Sequence, residues 1–218
     1  MTRFRYRAIA LDFDGVLVDS VPVKDQALRT LFESHGSHLA NRALATWNSH
    51  RGVFRSERLR RTVEETLGRS PSSAEVTALT ERFATLVRDR TIAAPWIAGA
   101  RDLLENLHHQ LPCFVVSAAP QEELREIINQ RGMTPLFTEV FGGPEKKAPI
   151  LQRIAATLPC PTDALLFLGD SPSDLTAAQQ AGTPFLGVVA PGLANPFPTE
   201  IPTVADLSTV ENRIVQQP

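Results

Sequence analysis

The sequence predicts an α/β fold: a Rossmann-like three-layer core with a mostly parallel sheet, into which an α-helical cap domain is inserted. Three observations predict it. Short apolar runs (Ala8 to Leu11, Cys113 to Val116, Leu165 to Leu168 and Phe185 to Val189) alternate with amphipathic patterns in the later chain. Strands alternating with helices build βαβ units, and their parallel sheet is covered on both faces. Each run is apolar at consecutive positions, as strands buried on both sides are. Between the first and second runs, from Val21 to Arg90, only helical periodicity appears. The expected division is therefore 1–18 with 93–218 for the core, and 19–92 for the cap.

The first run ends at Asp12. Ser20 is a plausible N-cap for the next helix, with Pro22 tolerated in its first turn. Ala27, Leu28, Leu31 and Phe32 share one face, and Gly36 is the expected terminator. A weaker helix carries Ala43, Leu44 and Trp47 and breaks over Asn48 to Gly52. Leu59, Val63 and Leu67 recur every four residues up to Gly68. Ser72 and Glu75 form a capping-box pattern before Val76, Leu79, Phe83, Leu86 and Val87. After Ala93 the pattern changes. Ala100, Leu103, Leu104, Leu107 and Leu111 predict an amphipathic helix, then comes the strand from Cys113 ending at Ser117. Leu124, Ile127 and Ile128 mark a helix closed by Gly132, followed by a short strand over Phe137 to Phe141. Ile150, Leu151, Ile154, Ala155 and Leu158 give another helix before the strand that ends at Gly169-Asp170. Leu175, Ala178 and Ala181 predict a short helix, and Phe185 to Val189 the last strong strand. Pro191 to Pro202 reads as loop, and Leu207, Val210 and Ile214 allow a final helix.

Bulk properties narrow the function. With 218 residues, 43% hydrophobic and 21% charged, the chain has an ordinary globular balance and enough length for a sizeable core. A net charge of −2 gives no reason to expect a nucleic-acid or membrane-surface partner. Cys113 and Cys160 are too few for a disulfide framework and read as reduced thiols. The apolar run before Asp12 is too short for a signal peptide, and nothing approaches the ~18 apolar residues of a membrane span. A cytoplasmic location is expected.

In open α/β sheets the site lies beyond the carboxyl ends of the strands, so the polar residues there are the ones to collect. The first strand delivers Asp12 and Asp14, whose period of two puts them on one side about 7 Å apart. Like charges that close need a metal, a shared proton or a basic partner. Asp-x-Asp-Gly is also turn chemistry, and by itself the motif leaves both readings open. Further strand ends and helix starts contribute Ser117, Lys146 and Lys147, Asp170 and Asp174. These residue types suit phosphoryl transfer. One carboxylate can attack phosphorus, and a second can protonate the leaving oxygen and then activate water. Carboxylates from two strands make an all-oxygen site suited to Mg²⁺. A lysine, a hydroxyl and the backbone N–H groups after Ser117, beginning with Ala118, can bind the remaining phosphate oxygens.

On these residues the sequence resembles the haloacid dehalogenase-like hydrolase superfamily. Asp12-Phe13-Asp14-Gly15-Val16-Leu17 matches its first motif and Ser117 its second. A lysine within Gly142 to Ala148 matches its third, and Gly169-Asp170-Ser171-Pro172-Ser173-Asp174 its fourth. The resemblance implies that Asp12 is the nucleophile and Asp14 the general acid/base. It further implies Mg²⁺ held by Asp12, the Asp14 carbonyl and Asp170, with Asp174 in support. Lys147 is preferred to Lys146, because the family's lysine stands next to a short Ala/Pro-type step opening the helix. A dehalogenase pattern lacks the second aspartate. A phosphonatase needs a cap lysine that forms a Schiff base, and Lys24, the only lysine of the insert, reads as solvated. What remains is a phosphatase acting on a small phosphorylated metabolite such as a sugar phosphate, with a β-phosphoglucomutase-like phosphomutase as the alternative. A catalytically silent binding or regulatory module is the alternative of another class. In the cap, His50-Arg51-Gly52-Val53-Phe54-Arg55 interrupts the helices. Arg51 or Arg55 is expected to reach the phosphate or a second anionic group, unless both are surface arginines beside a turn.

Overall fold

Residues 4–157 and 164–215 are described by the computed structural model of the chain. Leu158 and Cys160, read above as a helix position and a thiol, lie outside the described residues. β1 (Ala8–Leu11) is fully buried and central. It pairs in parallel with β2 (Cys113–Pro120) on one side and β4 (Leu165–Gly169) on the other. β3 (Glu139–Gly143), β5 (Phe185–Val188) and β6 (Thr203–Val204) complete a six-stranded parallel sheet in the order β3-β2-β1-β4-β5-β6.

Alternation along the strands sorts side chains onto two faces. Ile9, Leu11, Val115 and Leu168 pack against α5 (Ala100–Leu107) and α6 (Gln121–Gln130), joined at the end of the chain by α9 (Val210–Ile214). Ala8, Ala10, Val116 and Phe167 pack against α7 (Lys147–Thr157) and α8 (Pro172–Ala181). The result is the three-layer α/β architecture. No helix among the described residues is long and apolar enough to cross a membrane.

The cap consists of α1 (Val21–Phe32), α2 (Ser37–Ser49), α3 (Arg55–Leu67) and α4 (Ser73–Ala93). These helices close on a core of their own, with Leu28, Phe32, Trp47, Leu59 and Phe83 buried together. The chain crosses to the cap after Val18 and returns at Trp96. The two crossings are bonded to each other, Asp19 N–H donating to the Pro95 carbonyl at 2.9 Å and Ile97 N–H to the Leu17 carbonyl at 3.0 Å.

Several local readings are corrected. β2 continues past Ser117 to Pro120, because after a register shift its last residues still pair with β3, Pro120 opposite Gly143. α1 stops at Phe32, and a 3-10 turn over Glu33–His35 separates it from Gly36. Gly36 therefore opens α2 instead of closing α1. Within Pro191 to Pro202 there is no strand, but β6 follows directly, hydrogen-bonded to β5 through Gly187 and Val188. Two residues are too few to show a period. The capping box at α4 is half formed. Ser72 Oγ accepts from Glu75 N–H at 3.2 Å, while the Glu75 carboxylate turns to Arg69 at 2.6 and 2.8 Å.

Candidate active site

The end of β1 sets the site. Asp12 N–H is still in the sheet, donating to the Leu168 carbonyl at 2.9 Å. Its Oδ1 accepts from Phe13 N–H at 2.7 Å, which fixes the carboxylate at the strand tip. The chain then turns, with Leu17 and Val18 N–H both donating to the Phe13 carbonyl. Gly15 takes φ +78° in that turn, and a Cβ there would lie 2.4 Å from Asp170 Oδ2. Only glycine combines this backbone with so close an approach.

α7 begins at Lys147 and α8 just after Ser171, so both helix starts open on this end of the sheet. Lys147 is buried, with Nζ 2.9 Å from Asp12 Oδ2 and 2.6 Å from Asp174 Oδ1. Lys146 is exposed. Asp174 is 0% exposed, and its other oxygen accepts from Ser171 N–H at 3.1 Å and Ser171 Oγ at 2.6 Å. That is a capping box on α8, with Ser171 as the cap. Asp174 thus spends its lone pairs on Lys147 and the helix start. Ser117 is also buried, its Oγ accepting from Ala119 N–H at 3.2 Å, with Ala118 beside it in the cavity wall.

Carboxylate oxygens of Asp12, Asp170 and Asp174 lie within 4.8 Å of one another. Burial first, then Asp174 and Asp12, push the Asp170 carboxyl up to about 8. Burial likewise raises Asp12 to about 6, opposed by Lys147 and reinforced by Asp174 and Asp14. Lys147 is driven the other way from what burial alone would do. The two carboxylates outweigh its desolvation and hold it above the usual ammonium range. Crowded anions with hard oxygen donors fit a metal ion, whose charge would relieve that crowding.

The Asp14 side chain faces elsewhere, accepting from Ser20 Oγ at 2.5 Å and pairing with Lys24. Burial acts to raise its pKa, but Lys24 and Ser20 outweigh it and hold Asp14 below the ordinary carboxylate value. Lys24 is accordingly not solvated. One helical turn after Ser20, it reaches back across the crossing to the core carboxylate. That spacing was the available signal, since Ser20 and Lys24 share a face of the α1 start.

The cap closes the cavity with Trp47, Val53 and Phe83 and with four cations. Arg51 Nη1 reaches Asp170 Oδ2 at 3.2 Å. Arg55, 8% exposed, forks onto Glu123 of α6 and lies over the Phe83 ring, 5.1 Å from its centroid. Neither arginine is a free surface residue. Lys24 and Arg58 are the other two cations, and Asp25 and Asn48 also line the wall. Sequence reasoning missed Asp25 and Arg58 because each lies within a helix with no motif around it, and Asn48 because it was read as part of the break, whereas α2 runs on to Ser49.

Known proteins resemble this chain in sequence and in fold. The haloacid dehalogenase-like hydrolase family matches residues 6–182. The phosphoglycolate phosphatase of Photorhabdus laumondii is 30% identical over 190 residues, spanning 84% of this chain and 80% of that protein. The magnesium-bound HAD-hydrolase YfnB of Bacillus subtilis superposes with a TM-score of 0.71 at 20% identity, over 96% of this chain and 98% of its own. The β-phosphoglucomutase of Clostridium difficile superposes with a TM-score of 0.73 at 18% identity, over 94% and 93%. At those identities the two structures speak for the fold alone. The family match over most of the chain and the phosphatase kinship lead to one conclusion: this chain belongs to the haloacid dehalogenase-like hydrolases, as a phosphoric monoester hydrolase.

Proposed function

We propose that the chain is a magnesium-dependent phosphatase hydrolysing a small phosphorylated metabolite of the cytoplasm through an aspartyl-phosphate on Asp12. The observation that carries this reading is the pairing of Asp12 with Lys147 at 2.9 Å, where Asp12 lines a cavity together with Asp14, Ser117 and Asp170. Asp12, Asp170 and the main-chain carbonyl of Asp14 would hold the ion, whose charge lets carboxylates and an anionic phosphate share one space. Asp174 has a supporting part, keeping Lys147 in place.

In the first half-reaction an Asp12 carboxylate oxygen attacks phosphorus and the bond from phosphorus to the ester oxygen breaks. The departing oxygen takes a proton from Asp14 and leaves as an alcohol. In the second half-reaction Asp14 takes a proton from water, whose oxygen attacks the phosphorus. The acyl-phosphate bond breaks, releasing inorganic phosphate and restoring Asp12. Lys147, Ser117 Oγ and the Ala118 N–H orient the phosphoryl oxygens and oppose the charge that builds on them. For Asp14 to begin as an acid, substrate entry has to loosen its contact with Lys24. Arg51 is placed to meet the phosphate beside Asp170, and Arg55 to hold the cap on the core through Glu123.

Hydrolysis is favoured over mutase chemistry because the sequence kinship is to phosphatases, whereas the mutase likeness is one of fold. The name of those relatives, phosphoglycolate phosphatase, makes 2-phosphoglycolate the first substrate to assay. Turnover of p-nitrophenyl phosphate is expected to stop on chelation and return with magnesium. Asp12→Asn is expected to fall to background while melting like the parent. Acid-quenched parent enzyme, mixed with a radiolabelled phosphate ester, should carry hydroxylamine-sensitive label on the peptide containing Asp12. Activity retained in Asp12→Asn would remove the covalent mechanism.

A further inference from the structure

Four cations line the cavity, and three of them already face a carboxylate: Lys24 meets Asp14, Arg51 meets Asp170 and Arg55 meets Glu123. Arg58 differs. Its Nε donates to the Trp47 carbonyl at 2.7 Å, and its guanidinium carbon stands 3.5 Å from the Trp47 ring centroid. Among the described residues no carboxylate forms an ion pair with it, and its two Nη groups make no hydrogen bond. Burial first, and the charge of Arg51 next, push the Arg58 pKa down to about 9 against the opposing charges of Asp25, Asp14 and Asp170. The indole and the Trp47 carbonyl hold the fork in place before any ligand arrives.

Beside it stand Asp25 and Asn48. Asn48 Nδ2 approaches Asp25 Oδ2 at 3.4 Å, which orients both side chains. The second carboxylate oxygen of Asp25, Oδ1, and the amide oxygen of Asn48, Oδ1, are buried without a hydrogen-bond partner among the described residues. Buried acceptors left unpaired are costly, and native proteins keep few of them without a use. Both residues line the carboxylate cavity and also a larger cleft, which Leu193 and Pro196 line as well. They therefore stand where the leaving group of a bound phosphate ester passes out of the reaction site.

From these three residues we infer a leaving-group subsite, in which Asp25, Asn48 and Arg58 select the phosphate monoester of a small carboxylic acid that keeps a free hydroxyl beside the esterified one. A substrate hydroxyl donates to Asp25 Oδ1 or Asn48 Oδ1, and a substrate carboxylate takes the open fork of Arg58. Both orphaned oxygens are acceptors, so they call for O–H donors and are left unpaired by a leaving group without hydroxyls. A guanidinium with free Nη groups calls for a planar anion that can accept two parallel bonds. A single negative charge balances Arg58, and Asp25 nearby disfavours a tail more highly charged than that. The inference rests on the phosphatase reading and narrows its substrate beyond what the relatives' name suggests. Phosphoglycolate has the carboxylate but lacks the hydroxyl.

The test compares kcat/KM for four esters with magnesium present. 3-Phosphoglycerate carries both groups, 2-phosphoglycolate only the carboxylate, glycerol 3-phosphate only hydroxyls, and p-nitrophenyl phosphate neither. 3-Phosphoglycerate is expected to exceed each of the others by about tenfold or more, since a site built to bond a polar group rejects analogues that lack it. Parity of 2-phosphoglycolate or glycerol 3-phosphate with it overturns the subsite. Arg58→Lys keeps the charge and loses the fork, so its preference for 3-phosphoglycerate over glycerol 3-phosphate should fall about tenfold, mostly through KM. Asn48→Ala should narrow the gap between 3-phosphoglycerate and 2-phosphoglycolate. Ratios unchanged in both variants overturn the assignment, and if Arg58→Lys fails to fold the wild-type comparison still decides. Absence of magnesium-dependent turnover with all four esters removes the phosphatase reading, and the subsite with it.

Discussion

Lys147 is a buried ammonium between two buried carboxylates, and its removal would leave Asp12 and Asp174 without their main counter-charge. Breaking a buried pair by deleting one partner costs about 3–5 kcal/mol. Lys147→Met, unfolded in urea without metal near neutral pH, should lose about that much, and magnesium should restore part of it. The same cluster sets a pH dependence for the metal-free protein. Asp12 and Asp170 titrate at about 6 and about 8 in the folded state, against 3.8 when unfolded. Between those limits the folded chain binds more protons than the unfolded one, so stability is full at low pH and is lost as pH rises. Asp14 is shifted downward, so its contribution is lost only in acid; that of Lys147 is lost only in strong alkali. The metal-free melting temperature should therefore fall from about pH 5 to about pH 8.5, with magnesium raising it most at the upper end. A flat or rising profile would show that the carboxyls are not crowded as described. At this scale the sequence was partly legible. A spacing of two placed both aspartates at one strand tip, and the start of α7 favoured Lys147. Lys24 was misread, because a lone lysine in a first helical turn looks solvated until the turn at Gly15 carries Asp14 around to meet it.

Across the cavity, α3 and α6 are joined by an ion pair. Arg55 opens α3, Glu123 lies in the first turn of α6, and the two side chains are 7% and 15% exposed. Hydrogen bonds between charged groups in such settings are worth about 1.5–3 kcal/mol. A double-mutant cycle of Arg55→Met and Glu123→Gln should return a coupling energy in that range, read from urea midpoints. A coupling near zero would mean the fork is a solvated contact. The strands that carry the site were readable because β1, β2 and β4 are continuous apolar runs, which parallel pairing on both sides demands. Elements fixed by tertiary bonding were not readable. β6 exists because Gly187 and Val188 present free backbone groups, and β2 lengthens because Gly143 sits where Pro120 can pair. The capping box at α8 was present in the sequence Ser171-Pro172-Ser173-Asp174, with Asp174 three residues after Ser171.

The whole molecule has separate apolar centres, two against the sheet faces and one among the cap helices. Leu59 is 0% exposed in the cap centre, and a buried Leu→Ala change costs about 2–5 kcal/mol. Leu59→Ala should raise hydrogen exchange in α1 to α4 well before the amides of β1 and β4, if the cap opens as its own unit. Uniform loss of protection would mean that cap and core unfold together. The insertion was legible because helical periodicity ran unbroken between two strands. Its seating on the core was not, since that depends on pairs such as Lys24 with Asp14 that no periodicity announces.

Beside the Arg51 contact, the loop between α2 and α3 meets the start of α8 with bare main chain at Gly52. At Gly52, with φ +76°, a Cβ would sit 1.6 Å from Ser173 Oγ at the start of α8. At that one point the lid rests on bare peptide, with no room for a methyl group. A bulkier residue there would act as a doorstop, holding the chamber ajar to bulk solvent without altering any group that does the chemistry.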